Sequence, residues 1–198
     1  MFSGIVSGQG IVVKIQTLPR HIRVGIRHQG LGKGIRTGDS VAVNGCCLTV
    51  ITNRAGTFQF DVLKETWKRT VLQHTRVGEK INLESSLRLG DPIGGHLVAG
   101  HVDGIGRITR RRQNKGDMFL EIAPPSGFMR WVVMKGSVAV DGVSLTVSHV
   151  DRFRLGVWVI PHTLRLTTLG WKQAGDFVNL EGDLFAKYAQ KALTRQRS

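Results

Sequence analysis

Ser40-Val41-Ala42-Val43-Asn44-Gly45-Cys46-Cys47-Leu48-Thr49-Val50 returns later in the chain as Ser137-Val138-Ala139-Val140-Asp141-Gly142-Val143-Ser144-Leu145-Thr146-Val147. Eight of these eleven positions are identical, at a shift of 97 residues. The same shift carries Thr66 onto Thr163, Thr70 onto Thr167, Leu72 onto Leu169, Gly78 onto Gly175 and Asn82-Leu83-Glu84 onto Asn179-Leu180-Glu181. One residue fewer carries Gly4, Val6, Gly8 and Gly10 onto Gly100, Val102, Gly104 and Gly106. A register held over so long a span identifies a tandem duplication. Its period is far longer than a solenoid repeat or propeller blade, so each copy is a domain. The boundaries read from it are 1–95 and 96–183, with 184–198 as a C-terminal helix and basic tail.

Within each copy the pattern is β. Asn44-Gly45 and Asp141-Gly142 each separate two short apolar runs, and such pairs favour the tight hairpin turn in which both central residues take positive φ. Further strands are expected at Gly10–Ile15, Ile22–Arg27, Thr57–Leu63 and Lys80–Leu83. Their counterparts are Gly106–Thr109, Met118–Ala123, Leu155–Ile160 and Phe177–Leu180. Short strands between glycine-rich turns predict a small barrel or sandwich per copy. Trp67–Leu72 and Leu164–Leu169 read as helical turns. The last segment reads as a helix with Asp183 as N-cap and an apolar face of Leu184, Ala186, Tyr188, Ala189 and Leu193.

Composition narrows the class. The formal charge is +14, partly clustered at Arg107, Arg110, Arg111, Arg112 and Lys115 and again at Lys187, Lys191, Arg195 and Arg197. Basic barrels that bind nucleic acid set aromatic platforms beside the charge. The run from Arg107 to Lys115 contains no aromatic residue, so a solvated loop and a polar tail are expected, with no nucleic-acid partner. The two cysteines, Cys46 and Cys47, are adjacent and point to opposite faces of a strand, so no disulfide framework exists. That fits a reducing, cytoplasmic setting. The opening Met1-Phe2-Ser3-Gly4-Ile5-Val6 lacks the charged and apolar regions of a signal peptide, and no apolar run is long enough to cross a membrane.

The motifs carry a resemblance. Met1-Phe2-Ser3-Gly4-Ile5-Val6 is similar to the opening of riboflavin synthases, which usually carry threonine where Ser3 stands. Asn44 to Val50, Gly94-Gly95-His96-Leu97-Val98-Ala99-Gly100-His101-Val102-Asp103-Gly104 and Lys135 to Val147 also match that family. So do Ile160 to Leu164 with Thr167 to Gly170, and Asn179 to Asp183 with Ala186-Lys187-Tyr188. The resemblance covers nearly the whole chain in order. It implies two tandem six-stranded Greek-key β-barrels with a C-terminal α-helix, a homotrimer contacted through that helix, and association with a lumazine synthase shell in some members. It implies one 6,7-dimethyl-8-ribityllumazine per barrel and transfer of four carbons from one to the other. The products are riboflavin and 5-amino-6-ribitylaminouracil, made without a metal or organic cofactor.

Carried over motif by motif, the resemblance implies a first half-site of Gly4, Ile5 and Val6, of Cys47, Leu48 and Thr49, and of Asp61, Val62, Leu63, Lys64, Glu65 and Thr66. It implies a second of Gly100, His101 and Val102, of Lys135, of Ser144, Leu145 and Thr146, and of Ile160, Pro161, His162, Thr163, Leu164 and Arg165. Between the copies Cys47 corresponds to Ser144, Ile5 to His101, Gly38 to Lys135 and Glu65 to His162. Unequal half-sites suit unequal donor and acceptor roles. His101 and Ser144 are expected to transfer protons or activate the substrate as a pair, with Lys135 as an electrostatic or hydrogen-bonding partner and Cys47 as a contact to a ring atom. Thr49 and Thr146 share strand faces with Cys47 and Ser144, whereas Cys46 faces the other way. His96 and His101 are five apart, which is not the helical two-histidine spacing of a zinc site, and no metal is expected. The rival readings are a non-catalytic lumazine or flavin carrier and a basic nucleic-acid-binding barrel.

Overall fold

The computed structural model describes residues 1–28, 30–31 and 34–195; the last part of the expected basic tail, 196–198, lies outside them. Each repeat closes into six antiparallel strands. The first contains β1 (Gly8–Thr17), β2 (His21–His28), β3 (Ser40–Val43), β4 (Cys46–Arg54), β5 (Thr57–Leu63) and β6 (Lys80–Ser85). They are hydrogen-bonded in the cyclic order β1-β2-β5-β4-β3-β6. The second contains β7 (Gly104–Asn114), β8 (Asp117–Ala123), β9 (Ser137–Val140), β10 (Val143–Val150), β11 (Leu155–Val159) and β12 (Phe177–Gly182), in the equivalent cyclic order β7-β8-β11-β10-β9-β12. This is the same Greek-key path twice, as the resemblance implied.

Strand periodicity decides what faces where. On β4, Cys46, Leu48 and Val50 are buried in the first core while Cys47 and Thr49 point outward. Phe58, Phe60 and Val62 of β5 fill the same core. Register shifts fall at matching places in the two copies, at Val12/Lys14 and Ile108/Arg110 and at Val50/Thr52 and Val147/His149. Such bulges bend strands so that a short sheet can close. Asn44 and Gly45 take φ values of 44° and 77°, and Asp141 and Gly142 take 46° and 79°, as the hairpin reading requires.

Those two hairpin tips meet. A Cβ on Gly45 would lie 2.7 Å from the Gly142 nitrogen, and a Cβ on Gly142 would lie 2.7 Å from the Gly45 nitrogen. Around them the contacts are reciprocal. Asn82 donates from Nδ2 to the Asp141 carbonyl at 3.0 Å, and Asn179 donates from Nδ2 to the Asn44 carbonyl at 2.8 Å. The Asn82 side-chain oxygen accepts from the Thr168 amide, and the Asn179 oxygen accepts from the Val71 amide. The Asn-Leu-Glu repeat is therefore the polar rivet between barrels. A shared apolar cluster of Phe2, Ala42, Val98 and Ala139 lies beside it, and Phe2 and Val98 exchange backbone hydrogen bonds.

Three sequence expectations are corrected. The basic run is not a solvated loop: Arg107, Arg110, Arg111 and Arg112 lie on the eleven-residue β7, closed by a turn at Lys115 and Gly116 with φ values of 48° and 96°. The Arg112 guanidinium lies 5.9 Å from the Phe119 ring and 5.8 Å from the Trp158 ring, so aromatic company comes from neighbouring strands. The helical turns begin earlier than expected, as α1 (Lys64–Arg69) and α2 (Pro161–Leu166), each followed by a 3-10 turn, at Val71–His74 and Thr168–Gly170. The last helix, α3 (Leu184–Arg195), does have Asp183 at its N-cap, accepting from the Phe185 amide at 2.8 Å. Its expected apolar face is not one face, because at 100° per residue Leu184 and Leu193 point oppositely. Leu184 and Ala186 are partly buried, while Phe185, Tyr188 and Leu193 are exposed with Ala189 between them. No helix among the described residues is long and apolar enough to cross a membrane.

Candidate active site

The chain segment before each barrel does not stay with that barrel. The Gly4 carbonyl accepts from the Ser144 amide at 2.8 Å, and the Gly100 carbonyl accepts from the Cys47 amide at 2.8 Å. Val6 packs against the second core, and Val102 packs against the first. Both glycines have positive φ, 76° and 80°, and a Cβ on either would lie 2.6 Å from the Cβ of Ser144 or Cys47 respectively. Only glycine combines that backbone with so close an approach. The grouping implied at the sequence level is thus corrected: Gly4, Ile5 and Val6 complete the Ser144 half-site, and Gly100, His101 and Val102 complete the Cys47 half-site. Linear order had assigned each loop to the strands that follow it.

The Cys47 half-site is a cleft of about 270 Å³ lined by Cys46, Cys47, Glu65, Thr66, Arg69, Thr70, Gly100, His101 and Val102. Strand alternation presents the Cys47 side chain, the crossing loop presents His101, and α1 presents Glu65 and Thr66. The Thr70 hydroxyl donates to the Thr66 carbonyl at 2.8 Å and ties down the end of α1; Thr167 does the same to Thr163 at α2. Cys46 is buried, and burial pushes its thiol up to about 12, so it is core and not a nucleophile. Glu65 is paired with Arg69 at 3.1 Å on the exposed face of α1.

In the Ser144 half-site the hydroxyl of Ser144 lies 2.7 Å from His96 Nδ1. His96 was expected only not to bind metal, and motif transfer missed it as a site residue. A signal was available: His96 sits in the same Gly-rich motif as His101, but distance in sequence gave no reason to place it on Ser144. Gly95 makes the contact sterically feasible, since a Cβ there would lie 2.6 Å from Ser144 Cβ. Burial holds the His96 imidazole below the ordinary value of 6.5, with the Asp183 charge acting in the opposite sense. A neutral ring can accept the Ser144 proton at Nδ1. The expected His101–Ser144 pair is not brought together within one chain, because His101 lines the opposite half-site.

The remaining expected residues divide by where they point. Thr49 and Thr146 are exposed beside Cys47 and Ser144, as alternation required. The side chains of Leu48 and Val62 are in the first core, so these meet a ligand through their backbones, while the partly buried Leu145 packs on the second core. Leu63, Lys64, Ile160, Pro161, His162 and Arg165 are exposed, and Thr163 and Leu164 are partly buried along α2. Asp61 is held by Arg23 in a bidentate pair at 2.8 and 2.9 Å, which keeps its carboxyl below the usual range. Lys135 is exposed at φ 64°, where the first copy has Gly38. A non-glycine residue there carries about 1–2 kcal/mol of backbone strain. That strain is consistent with a side chain kept for its charge.

Larger concavities lie elsewhere. One of about 360 Å³ runs between the barrels past Lys80, Thr168 and Lys172, and another of about 760 Å³ lies beside Arg36 and Arg88. Neither touches Cys47 or Ser144, so size does not mark the site here.

Comparisons with known proteins bear on the same residues. The lumazine binding domain family matches residues 3–86 and again 99–183. The riboflavin synthase of Mycobacterium bovis is 42% identical over 197 residues, covering 98% of each chain. That of Brucella abortus is 37% identical over 202 residues and covers all of both. Among solved structures, LumP complexed with riboflavin superposes with a TM-score of 0.84 at 27% identity, over 92% of this chain and 99% of its own. LumP complexed with 6,7-dimethyl-8-(1'-D-ribityl) lumazine superposes at 0.83 with 24% identity, over the same shares, and shares the fold.

Proposed function

The chain belongs to the riboflavin synthases, a family of tandem lumazine binding domains, and from that premise we propose that it converts two molecules of 6,7-dimethyl-8-ribityllumazine into riboflavin and 5-amino-6-ribitylaminouracil. The observation that carries this reading is that both half-sites are built, each completed by a loop from the other repeat, and that their polar groups differ. One lumazine occupies the Cys47 half-site and the other the Ser144 half-site. The two are brought face to face by assembly of a homotrimer in which the first barrel of one chain meets the second barrel of a neighbour. The exposed apolar Phe185, Tyr188 and Leu193 of α3 support that assembly.

The reaction redistributes the atoms of two identical substrates without net uptake of water, oxidant or reductant. Its demands are proximity and proton movement. Holding the two ring systems within reach supplies about 7–11 kcal/mol in favourable cases. A methyl proton must leave one lumazine and an electrophilic ring carbon of the other must be attacked. Ser144, with His96 Nδ1 at 2.7 Å, can pass a proton through its hydroxyl. His101 acts from the facing half-site as the second proton-transfer group, Cys47 contacts the ring, and Lys135 stabilises developing negative charge. The residues 4–6, 47–49, 61–66, 100–102, 144–146 and 160–165 hold the two substrates. The barrels occupy 1–95 and 96–183, the segment 184–198 serves assembly, the protein works in the cytoplasm, and its basic surface suits an acidic lumazine synthase shell.

A second reading is favoured by the LumP neighbours, which are complexed with 6,7-dimethyl-8-(1'-D-ribityl) lumazine, riboflavin and flavin mononucleotide. A carrier would bind lumazine and leave it unchanged. Incubating the purified protein with 6,7-dimethyl-8-ribityllumazine separates the two. Equal molar release of riboflavin and the pyrimidine is the expected result; tight binding with neither product would establish the carrier.

A further inference from the structure

Each crossing loop is held by a buried carboxylate from its own barrel. Glu84 on β6 accepts from the Ser3 amide at 2.7 Å, the Ser3 hydroxyl at 2.8 Å and the Gly4 amide at 3.1 Å. Glu181 on β12 accepts from the Ala99 amide at 2.7 Å and the Gly100 amide at 3.0 Å. Both carboxylates are 4% exposed. The glycine so gripped then hands its carbonyl to the other barrel, Gly4 to Ser144 and Gly100 to Cys47. A buried anion is costly unless its lone pairs are filled, and here the fillers are the backbone amides that aim each loop. The glutamates reach the half-sites only through these loop amides: Glu181 does not line the Cys47 cleft, Glu84 makes no hydrogen bond to Ser144, and neither belongs to the proton-transfer machinery.

We propose that Glu84 and Glu181 are positioning residues for the half-sites across the barrel boundary, and that ionisation of Glu181 closes Gly100-His101-Val102 over Cys47. The proposal rests on the two half-sites described above. The ionised carboxylate presents two acceptor oxygens to two amides. Protonation turns one oxygen into a hydroxyl donor that faces an amide donor, so one hydrogen bond is lost and the loop is released on that side. The two clamps are unequal. Ser3 gives Glu84 a third donor, where Ala99 gives Glu181 only a methyl. Burial raises both carboxyls, Glu181 to about 7, so that clamp changes state near neutrality. The charged groups acting on Glu181 are Lys187 from α3, which favours its ionised form, and Asp103, which opposes it. Lys187 itself is 2.6 Å from Asp103. Glu181 and Cys46 also oppose each other's ionisation.

Cys47 reports the state of the loop without any substrate. Wild-type protein, Glu181→Gln and Glu84→Gln are alkylated with iodoacetamide from pH 6 to 8.5, the rate at Cys47 is followed by mass spectrometry, and variant is divided by wild type at each pH. That ratio cancels the thiol's own titration. For Glu181→Gln the expected ratio is several-fold at pH 8.5, falling toward one at pH 6 as wild-type Glu181 takes up its proton. Glu84→Gln should leave the Cys47 rate unchanged while weakening lumazine binding at the Ser144 half-site. A ratio near one at pH 8.5, or an elevated ratio that does not change with pH, overturns the proposal. Because labelling needs no turnover, a protein that failed to make riboflavin could still pass or fail this test.

Discussion

The two half-sites share a scaffold and differ in what surrounds one hydroxyl or thiol. At both, a strand residue pointing outward donates its amide to a glycine carbonyl delivered from the other repeat. At Ser144 an imidazole is hydrogen-bonded to the side chain at 2.7 Å. At Cys47 no ring is bonded to the thiol among the described residues, and His101 instead lines the cleft in front of it. A duplication therefore need not make two equal sites. Matching backbone geometry with different side chains puts a serine hydroxyl on an imidazole in one half-site and a thiol beside a histidine in the other. The chemistry proposed for the family needs such inequality, because one substrate gives four carbons and the other receives them.

The sharpest way to break the comparison is to remove each side's proton-transfer group. His101→Ala and Ser144→Ala are each expected to lower turnover by about 10²–10⁴-fold, the usual contribution of positioned acid–base groups. Mixing the two inactive variants after dissociation and reassembly should restore activity, because hybrid assemblies contain a facing pair with both residues intact. No recovery in a product assay of the mixture would place the two substrates within one chain.

Next in size is the crossing itself. Gly100→Ala forces a Cβ to 2.6 Å from Cys47 Cβ at φ 80°. Left-handed strain of about 1–2 kcal/mol and overpacking of about 1–3 kcal/mol predict a loss of about 2–5 kcal/mol in urea denaturation. Lumazine binding at the Cys47 half-site should fall while that at the Ser144 half-site persists. His96→Gln should cost less, about 10-fold to 100-fold in turnover, and nothing further in a Ser144→Ala background if the ring acts only through that hydroxyl. The His96 pKa is depressed by burial, so wild-type stability should be lost as pH falls below about 6.5, and thermal melts of His96→Gln should lack that component.

The smallest expected effect is at the hairpin tips. Asn44 and Asp141 occupy equivalent turns, each accepting from an asparagine amide, at 2.8 Å and 2.7 Å. Asp141 carries in addition an oxygen without a hydrogen-bond partner among the described residues, 3.5 Å from Lys172 Nζ. Burial raises this carboxyl above its ordinary 3.8, and Lys172 acts against that. A raised folded-state value means stability is lost as pH rises through it. Asp141→Asn should therefore stabilise the protein at neutral pH by about 1 kcal/mol, Lys172 remaining partly solvated. Melts showing the variant less stable at pH 7 would mean that the Lys172 contact outweighs the cost of burial.

The hairpin turns and the opposite facing of Cys46 and Cys47 were legible in the chain because each depends on near neighbours, and the duplication was legible as a register of matching residues 97 apart; that Cys46 lies in the core was settled only by the closed barrel. Period-two alternation and the positive φ of Asn-Gly and Asp-Gly are local properties. The strand β7 was less legible: its alternation is polar on both faces beyond Ile108, so Arg110 to Arg112 read as loop until pairing with β8 supplied their hydrogen bonds.

The exchange of Gly4 and Gly100 between barrels was decided by tertiary structure alone. Each loop precedes one barrel and matches the other's equivalent loop, so either half-site would accept either loop on local grounds. The choice follows from how the barrels dock, tip to tip at Gly45 and Gly142 with Phe2 and Val98 paired beside them, which carries each loop past its own strands to the neighbour's. The His96–Ser144 contact follows from the same docking. The sequence determined which side chains are available to the two half-sites, since those are written in the motifs; the packing of one repeat on the other decided which groups meet in each, since that contact spans dozens of residues and leaves no periodic trace.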